Sequence, residues 1–253
     1  MEKARGENHK FFMLTLREKI KKAVHRPRLI KIRLYDDFIV GKLGLFQKKY
    51  NWRVVNDKIG QKVYKDYTEY VEHQVAKLAT MDLGEYDHKY YSVLSERLGV
   101  LASKNVVEKG KTVLCLAARI GTEVRAFLQH GCFAVGIDLN PGKDNKYVVR
   151  GDFHNIQFPD KSVDVVFTNS LDHALYIKKV ADEVKRVLKP NGFFILEVGL
   201  GFEEGGNFGY YEASAWQKVN DCLQPFLNIG FAVFQRDGFE FPWRGQQIIL
   251  RAS

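Results

Sequence analysis

The chain has 253 residues, of which 45% are hydrophobic and 13% aromatic, and it contains only 6 prolines. This composition supports a sizeable buried core and excludes a mostly disordered chain. No stretch approaches the roughly 18 to 20 apolar residues of a membrane-spanning helix, and the first residues lack the apolar centre of a signal peptide. The 3 cysteines are widely spaced among apolar residues, which indicates reduced thiols. We therefore expect a globular, cytoplasmic protein.

The formal net charge of +9 is unevenly distributed. Residues 1–60 hold 16 Lys and Arg against 6 Asp and Glu, whereas the rest of the chain holds 23 against 24. A basic surface confined to one segment indicates an anionic partner of that segment and says little about chemistry elsewhere.

Residues 1–60 are expected to form a basic helix-and-strand arm in front of a main domain that covers residues 61–253. The spacing of apolar residues predicts a basic amphipathic helix over residues 10–24, one or two strands over residues 29–46, and a looser stretch to Gly60. Three roles stay open for this arm. It can lie on an anionic membrane surface, at the inner membrane face, where a lipid-linked glycan is presented, or pack on the main domain or a second subunit. Nucleic acid is a weaker alternative, because aromatic and basic residues do not interleave there.

The main domain begins with two predicted helices. Apolar spacing predicts the first over residues 61–79 and the second over residues 87–101, with Tyr90, Leu94 and Leu98 facing inward. These helices lead into the part of the sequence that carries the chemistry.

From Lys111 onward, segments typical of strands alternate with segments typical of helices. The alternating segments read TVLCLAA, EVRAFLQHG, FAVGIDL, YVVRGD, VDVVFTN, IKKVADEVKRVL and FFILEVG. Such alternation predicts an α/β fold with a doubly wound, mostly parallel sheet whose strands are joined by crossover helices. A helix over about residues 213–227 and two late strands, near residues 232–236 and 246–251, would close the sheet; the late pair fits an antiparallel hairpin.

The segment VLCLAARIGTEVRAF marks a sharp turn from the first of these strands into a helix. The small residues Ala117, Ala118 and Gly121 leave room for a ligand against the backbone, and the N–H groups at the helix start point toward that ligand. We expect Thr122 to be the N-cap of this helix.

Acidic residues follow the next two strands. Asp138 ends the strand FAVGID, 17 positions after Gly121, where a carboxylate can accept both hydroxyls of a ribose. Asp152 and Phe153 follow the strand YVVR and offer a carboxylate and an aromatic face to a purine. Ligands of open α/β sheets bind outside the carboxyl ends of the strands, so three such anchors in order predict a nucleotide-like ligand there.

The stretch from Val113 to Gly199 resembles class I S-adenosylmethionine-dependent methyltransferases. VLCLAARIG stands where that family carries VLDLGCGxG, and VGIDLN stands where it carries a second strand with an acidic end. The phrases GTEVRAF, GIDLNPG, GDFH and TNSLDHA resemble more narrowly bacterial methyltransferases of surface-polysaccharide biosynthesis. The resemblance implies a Rossmann-like fold, S-adenosyl-L-methionine as cofactor and transfer of its methyl group.

The resemblance also implies roles for individual residues. Ala117, Ala118, Arg119 and Gly121 would lie at the methionine side of the cofactor, and Asn169 would contact the same end from the fourth strand. The remaining cofactor residues would be Asp138 and Leu139 at the ribose and Asp152 and Phe153 at the adenine.

Three positions depart from the family pattern. Ala117 and Arg119 replace the first two glycines, and Cys115 replaces the acid that precedes them. Arg119 puts a long cation into a turn that normally has no side chain there. It can point away from the pocket, pair with the carboxylate of the cofactor's methionine portion, or close the site.

His173 is the candidate catalytic base, because imidazole titrates near the working pH and the segment TNSLDHAL leaves the fourth strand where a reacting methyl group would lie. Asp172 can orient His173 or an acceptor hydroxyl. The structural alternative is that Asp172 caps a following helix and His173 packs beneath it. The other histidines lack partners at metal-ligand spacing, so no metal site is expected.

Weaker candidates surround this centre. His154 is expected to be structural or adjacent to the cofactor, and Glu197 can face the site or the solvent at its rim. The loop LGFEEGGNFG, residues 200–209, is a candidate lid over the acceptor. Four aromatic residues can stack on a sugar or pack in the core: Tyr210, Tyr211, Trp216 and Trp243.

Taken together, the sequence predicts a methyltransferase that acts on a hydroxyl, most readily that of a saccharide or glycan. An RNA or small-molecule methyltransferase is the first alternative. The second is a non-catalytic cofactor-binding module that recruits a partner through its basic arm. A dinucleotide oxidoreductase is disfavoured because the turn lacks GxGxxG.

Overall fold

The computed structural model describes residues 50–76 and 84–253, with backbone only at Glu85. The helix expected over residues 10–24 and the strands expected over residues 29–46 lie outside these residues. The chain divides into a unit that ends at Tyr64 and a larger unit that begins at Lys65. Within the described residues, no helix has the length and apolarity needed to cross a membrane.

The described part of the first unit is an antiparallel hairpin of β1, Trp52–Asn56, and β2, Ile59–Lys62. The side-chain oxygen of Asn56 accepts the N–H groups of Lys58, at 2.9 Å, and Ile59, at 2.8 Å. This local turn chemistry explains the hairpin. The prediction of a loose stretch to Gly60 and of a helix that begins at residue 61 is therefore wrong.

Two helices precede the sheet of the larger unit. Helix α1 covers Tyr67–Ala76, and the Asp66 carboxylate accepts the Glu69 N–H at its start, at 2.9 Å. Helix α2 covers Gly84–Ala102. Tyr90, Leu94 and Leu98 are fully buried on one face of α2, as the spacing predicted.

The core of the larger unit is a seven-stranded sheet. Its strands are β3 Thr112–Leu116, β4 Phe133–Asp138, β5 Val148–Arg150, β6 Val163–Thr168, β7 Leu188–Gly199, β9 Phe231–Phe239 and β10 Gly245–Ala252; β8, Ser214–Trp216, is not part of it. The strands lie in the order β5-β4-β3-β6-β7-β10-β9. Neighbouring strands from β5 to β7 are parallel, and β10 is antiparallel to both β7 and β9. The predicted mostly parallel α/β fold is confirmed, and the two late strands form the expected antiparallel pair.

Crossover helices cover both faces of this sheet. Helix α3, Thr122–Gln129, follows β3, and helix α4, Ile177–Val187, follows β6. Four consecutive residues of β3, from Val113 to Leu116, are buried, which is the apolar signature of a strand covered on both faces. All three cysteines are buried and unbridged, as expected.

The segment after β7 differs from its prediction. Instead of one helix from about residue 213, the structure has a short strand β8, Ser214–Trp216, and a helix α5, Val219–Leu227. The Asp221 carboxylate accepts the Lys218 N–H at 2.8 Å and marks the true helix start. Ser214, Ala215 and Trp216 are all buried, a pattern that an amphipathic helix does not produce.

Candidate active site

The carboxyl ends of β3, β4 and β6 meet at one edge of the sheet and border a cleft. Ten residues line it: Tyr70, Gln74, Ala117, Arg119, Asp138, Leu139, Gly151, Phe153, Ser170 and His173. The ten residues come from five different segments of the chain, and the six that were candidates from the sequence come from four of these segments. The fold thus brings together residues that the strand-end pattern singled out.

The turn after β3 has an uncommon backbone. Ala117, Arg119 and Gly121 have φ angles of 54°, 42° and 85°, in the left-handed region that favours glycine. A Cβ on Gly121 would approach the Cβ of Tyr147 to 2.6 Å, so Tyr147 rather than the cleft lies against this glycine. The turn thus keeps a glycine-like conformation at two positions that carry side chains.

The N-cap prediction for Thr122 is wrong. Gly121 occupies the N-cap position of α3, and no side chain caps the helix there. Thr122 is buried in the first turn, and its hydroxyl donates a hydrogen bond to Asp87. Its role in the structure is to tie α3 to α2.

Asp138 holds the turn in place from the end of β4. Its Oδ2 accepts the backbone N–H of Arg119 at 3.0 Å, and its Oδ1 accepts that of Asn140 at 2.8 Å. Asn140 in turn donates through Nδ2 to the carbonyl of Val75 at 3.2 Å, which ties α1 to the end of β4. Asp138 and Leu139 both face the cleft.

Asp152 and Phe153 differ in their surroundings. Phe153 lines the cleft, whereas both carboxylate oxygens of Asp152 have protein partners. Oδ2 accepts from the Tyr67 hydroxyl at 2.5 Å, and Oδ1 lies 3.0 Å from Nδ1 of His154. Burial favours a higher pKa for Asp152, but the hydrogen bonds from His154 and Tyr67 outweigh it and keep the pKa below its ordinary value.

His154 is a structural residue in this arrangement. It is fully buried, and its Nε2 accepts the backbone N–H of Tyr176 at 3.2 Å. The proton of the neutral ring therefore sits on Nδ1, which faces Asp152. Both ring nitrogens of His154 are therefore used in hydrogen bonds that hold neighbouring loops together.

A smaller cleft adjoins the turn. Its residues are Tyr86, Ala118, Arg119, Ile120, Thr122, Glu123 and Asn169. Asn169 donates through Nδ2 to Glu123 Oε1 at 2.9 Å and to the Tyr90 hydroxyl at 3.0 Å. Glu123 is only 7% exposed, and burial raises its pKa to about 7.

A third, larger cavity lies beside the other two. Its polar lining residues are Tyr86, Arg119, Asn169, Asp172, His173, Asn207, Glu212 and Arg244. Its apolar and aromatic lining residues are Val198, Gly199, Leu200, Phe208, Trp216 and Trp243. Arg119 lines all three spaces and His173 lines the two larger ones. We call the first space the cofactor cleft and this one the acceptor cavity.

His173 ends a short 3₁₀ helix, Leu171–His173, which follows β6. Its Nδ1 lies 3.0 Å from the carbonyl oxygen of Tyr211, so Nδ1 carries a proton and donates it. The Tyr70 hydroxyl donates to the carbonyl of His173 at 3.0 Å. The ring is therefore oriented by α1 and by the loop before β8, and in the neutral ring Nε2 is the basic atom.

Asp172 does not cap a helix. It lies inside the 3₁₀ helix, whose N-cap position is Ser170, and helix α4 begins after Tyr176. Asp172 Oδ1 is 3.8 Å from Nε2 of His173, and Asp172 lines the acceptor cavity. The pair therefore faces the space in which an acceptor would lie.

Glu197 lies neither in the site nor at its rim. It is fully buried, accepts hydrogen bonds from the Tyr90 hydroxyl and from Nε2 of Gln247, and pairs with Arg97 at 2.8 Å. Both positions that the sequence left open for Glu197 are thus wrong. Its charge is neutralised inside the protein.

The aromatic candidates divide between cavity and packing roles. Trp216 is fully buried but still borders the acceptor cavity, and its indole N–H donates to the Gly199 carbonyl at 3.2 Å. Trp243 lines the same cavity. Tyr210 and Tyr211 pack on the ring of His73, with centroids 4.7 and 5.6 Å away.

The loop of residues 200–209 borders the acceptor cavity through Leu200, Asn207 and Phe208. It contains a short 3₁₀ helix, Phe202–Glu204. The Glu204 carboxylate accepts the N–H groups of Gly201, at 2.9 Å, and Val219, at 2.8 Å, and so joins the loop to the start of α5. The loop is placed where the predicted lid would be.

Sequence reasoning missed several residues that line these spaces, among them Tyr70, Gln74, Tyr86 and Glu123. The first three lie on α1 and α2, and their position depends on how those helices cross the sheet edge. For Glu123 a signal existed, since it is an acid in the first turn of the helix that follows the ligand-facing turn.

The cofactor cleft fits an amino-acid-bearing nucleoside. Asp138 offers carboxylate lone pairs beside Leu139, Phe153 offers an aromatic surface, and the next cleft holds a buried acid and a cation, Glu123 and Arg119. These groups match, in that order, a ribose, a purine and a zwitterionic amino acid.

Comparison with known proteins agrees with this fit. Residues 114–196 match a family model described as a methyltransferase domain. The sterol 24-C-methyltransferase of Eremothecium gossypii is 32% identical over 122 residues, which are 42% of this chain and 31% of that enzyme. The chain spans less than half the length of each curated relative that it matches.

Solved structures share the fold at low identity. A protein from Pyrococcus horikoshii OT3 matches with a TM-score of 0.52 and 21% identity, over 64% of this chain and 91% of that chain. An S-adenosylmethionine-dependent methyltransferase from Aquifex aeolicus matches with a TM-score of 0.50 and 16% identity, over 61% of this chain and 89% of that chain. Residues 114–196 thus match a methyltransferase domain, and the sheet and helices of the larger unit have the Rossmann-like fold of these solved structures.

Proposed function

We propose that the protein transfers the methyl group of S-adenosyl-L-methionine to a hydroxyl of a saccharide or glycan, with His173 as the base. One observation carries the proposal. His173 lines both the cofactor cleft and the acceptor cavity, and its Nδ1–H is donated to the Tyr211 carbonyl. In this proposal Nε2 is the atom that accepts the proton of the acceptor hydroxyl.

The acceptor cavity has the composition that a sugar ring needs. Trp243 and Phe208 offer flat apolar surfaces, while Asn207, Glu212 and Arg244 offer hydrogen-bonding groups. Aromatic side chains pack against the apolar face of a pyranose, and polar groups bind its hydroxyls. This mixture supports a polyhydroxylated acceptor.

The chemistry asks the protein mainly for alignment and for the exclusion of water. The bound cofactor supplies an electrophilic methyl group on a sulfonium. An acceptor oxygen held in line with that methyl group forms the new C–O bond as the C–S bond breaks. The hydroxyl proton passes to Nε2 of His173, and the nearby carboxylate of Asp172 stabilises the imidazolium.

The cofactor-binding roles rest on the cleft. Asp138 is the ribose acceptor in this proposal, because it lines the cofactor cleft at the end of β4 and its carboxylate is held in place by the backbone N–H groups of Arg119 and Asn140. Phe153 and Leu139 cover the adenine, and Ala117 lies along the cofactor. Asp152 supports the adenine side indirectly, through His154.

A second candidate acceptor comes from the relatives. The curated proteins that match are sterol 24-C-methyltransferases, so a lipid alkene is the alternative substrate class. Against it stand the charged groups of the acceptor cavity, Arg119, Asp172, Glu212 and Arg244, which favour a polar acceptor over an apolar side chain.

The first experiment is calorimetric titration with S-adenosylmethionine and S-adenosylhomocysteine, with NAD as the negative control. We expect micromolar binding of the first two ligands, lost in Asp138→Ala and weakened in Asp138→Asn. Asp182→Ala, an exposed change on α4, is the matched control and should bind like the unchanged protein. Absence of binding in the unchanged protein overturns the proposal.

The second experiment identifies the acceptor with cofactor that carries an isotope-labelled methyl group. Free sugars, lipid-linked glycans, a sterol with a side-chain alkene and RNA are offered in parallel. Label in a sugar ether that disappears in His173→Ala supports the proposal, whereas label only in the sterol or only in RNA replaces it.

A further inference from the structure

The loop between β9 and β10, residues 240–244, brings two side chains to the acceptor cavity. Trp243 and Arg244, at the end of this β9–β10 loop, both line that cavity. Neither of them borders the cofactor cleft or the smaller cleft beside the turn. The loop is therefore placed to meet an acceptor without taking part in cofactor binding.

Arg97 on α2 anchors this loop. Its Nη2 donates a hydrogen bond to the carbonyl of Phe241, and its guanidinium lies over the ring of Phe239, 4.1 Å from the centroid. The same side chain pairs through Nη1 with the fully buried Glu197 at 2.8 Å. Because a buried carboxylate holds Arg97 by a charge-assisted hydrogen bond, the loop rests on a fixed support.

The end of the loop is also held by its backbone and by ring contacts. The carbonyl oxygen of Arg244 accepts the N–H of Leu200 at 3.4 Å, and Leu200 begins the loop of residues 200–209 at the same cavity. The ring of Trp243 lies 6.1 Å from that of Tyr90. The backbone of the β9–β10 loop is thus positioned before an acceptor arrives.

The guanidinium of Arg244 remains accessible in this arrangement. It pairs with Glu240 at 3.4 Å, and the two side chains are 50% and 82% exposed. Ion pairs between side chains this exposed are weak, so an anionic group of a ligand can displace Glu240. Arg244 lines the acceptor cavity, whereas Glu240 does not.

The other charged groups of the acceptor cavity serve the protein or the cofactor side. Asp172 lies 3.8 Å from Nε2 of His173, and Glu212 accepts a backbone N–H of its own loop. Arg119 borders the cofactor cleft as well. Among the residues that line this cavity, Arg244 is thus the charged group best placed for the acceptor itself.

We propose that the acceptor carries an anionic group, a carboxylate or a phosphate, and that Arg244 binds this group beside Trp243. This inference rests on the proposed function and narrows its substrate class to acidic saccharides. The planar guanidinium matches the oxygens of both anions in a two-point contact, while the indole packs on the apolar face of the sugar. Since the loop is anchored, the bound anion fixes the orientation of the acceptor.

Competition between matched sugars tests this role. Methyl glucoside, methyl glucuronide and the 6-phosphate of methyl glucoside are mixed at equal concentration with cofactor that carries an isotope-labelled methyl group, and the galactose series is run in parallel. The three sugars differ only in the group at carbon 6, so the ratio of their labelled ethers gives the ratio of kcat/KM. We expect an anionic sugar to exceed the neutral one by about tenfold or more. The anion that prevails identifies which of the two groups the acceptor carries.

Variants of Arg244 separate its charge from its size. Arg244→Gln should reduce the preference for the anionic sugar to about twofold or less, and Arg244→Lys, which keeps the charge but not the planar fork, should retain part of it. Arg236→Gln, an exposed change on β9, is the matched control and should retain the full preference. Calorimetric binding of S-adenosylhomocysteine, and of 5′-methylthioadenosine, which lacks its amino-acid end, shows that each variant is folded.

Every other outcome overturns the inference. Equal labelling of the anionic and the neutral sugar, or a preference that Arg244→Gln retains, removes Arg244 as the anion receptor and leaves sugar methylation in place. Label that mild alkali releases from the glucuronide is an ester, which makes the carboxylate the methylated group instead of a recognition group. Absence of label from all the sugars, with S-adenosylhomocysteine bound, removes the proposed function together with this inference.

Discussion

The carbonyl oxygen of Tyr211 accepts a hydrogen bond from Nδ1 of His173 at 3.0 Å. The same oxygen accepts Nε2 of Gln74 at 2.9 Å. A single backbone carbonyl, in the loop before β8, thus fixes the tautomer of His173 and joins it to helix α1. The imidazole is oriented by two parts of the chain that are far apart in sequence.

His173→Ala tests the base directly. Loss of a general base lowers a rate by about 10² to 10⁴-fold. The kcat for the acceptor that the labelling experiment identifies should therefore fall by that amount. The affinity for S-adenosylhomocysteine, measured by calorimetry, should change by less than about threefold, because cofactor binding depends on other groups. Unchanged turnover would remove His173 from the mechanism.

The pH dependence of cofactor binding tests Glu123. Burial raises its pKa to about 7 in the free protein, so the acid is mostly neutral below that pH and mostly charged above it. A ligand with an ammonium group binds the charged form, so its affinity should rise with pH up to about 7 and then level off. Below pH 7 the change should approach about tenfold per pH unit.

Several groups that can carry charge face Glu123, so the control must isolate it. They are Arg119 in the turn, Tyr86 and Tyr90 on α2, Cys115 on β3 and Glu197 on β7. Dissociation constants of S-adenosylhomocysteine and 5′-methylthioadenosine at pH 6 and pH 8 give the test. The rise should be absent for the second ligand, and absent for both in Glu123→Gln; a rise that persists in this variant belongs to another group.

Ala117→Gly tests the backbone of the turn. A left-handed conformation costs a residue with a Cβ about 1–2 kcal/mol, and glycine removes that cost but adds about 0.5–1 kcal/mol of chain entropy. The variant should therefore range from equal stability to about 1.5 kcal/mol more stable in urea denaturation. Ala181→Gly, inside helix α4, should instead lose about 1 kcal/mol or more; similar losses at both positions would contradict the strained turn.

Arg97→Leu tests the buried ion pair beneath the site. Arg97 Nη1 lies 2.8 Å from Oε1 of the fully buried Glu197. Removing the cation leaves a buried charge, at a cost of about 3–5 kcal/mol. Adding Glu197→Gln should recover part of that loss, because the amide is neutral and still meets Tyr90 and Gln247. The test is to compare the free energies of unfolding of the single and the double variant. Equal values would show that the unpaired charge of Glu197 does not cause the loss of stability.

The sequence predicted the strand ends well because parallel strands leave two strong signals. Their residues are apolar on both faces, as in β3, and the polar residues that end them, such as Asp138, must lie at one edge of the sheet. The direction of each strand then places Asp138, Phe153 and His173 near one another without knowledge of any contact.

The helices in front of the sheet were less predictable. The apolar positions from Val63 onward matched a helical period, but Asn56 closes a hairpin and Val63 is exposed. The contribution of Gln74 to the site depends on a contact with Tyr211, 137 positions later in the chain. The roles of Asp152 and Glu197 likewise depend on partners from distant segments, which no local pattern encodes.

Arg119 and His173 each form part of the wall of two neighbouring spaces. In the proposed reaction a donor in the cofactor cleft would contact two residues that an acceptor also meets, and would so form part of the surface presented to the acceptor. Such a geometry favours ordered turnover: the methyl donor enters first, the methylated product leaves early, and S-adenosylhomocysteine departs last. Product inhibition by S-adenosylhomocysteine would then be competitive with the donor and noncompetitive with the acceptor.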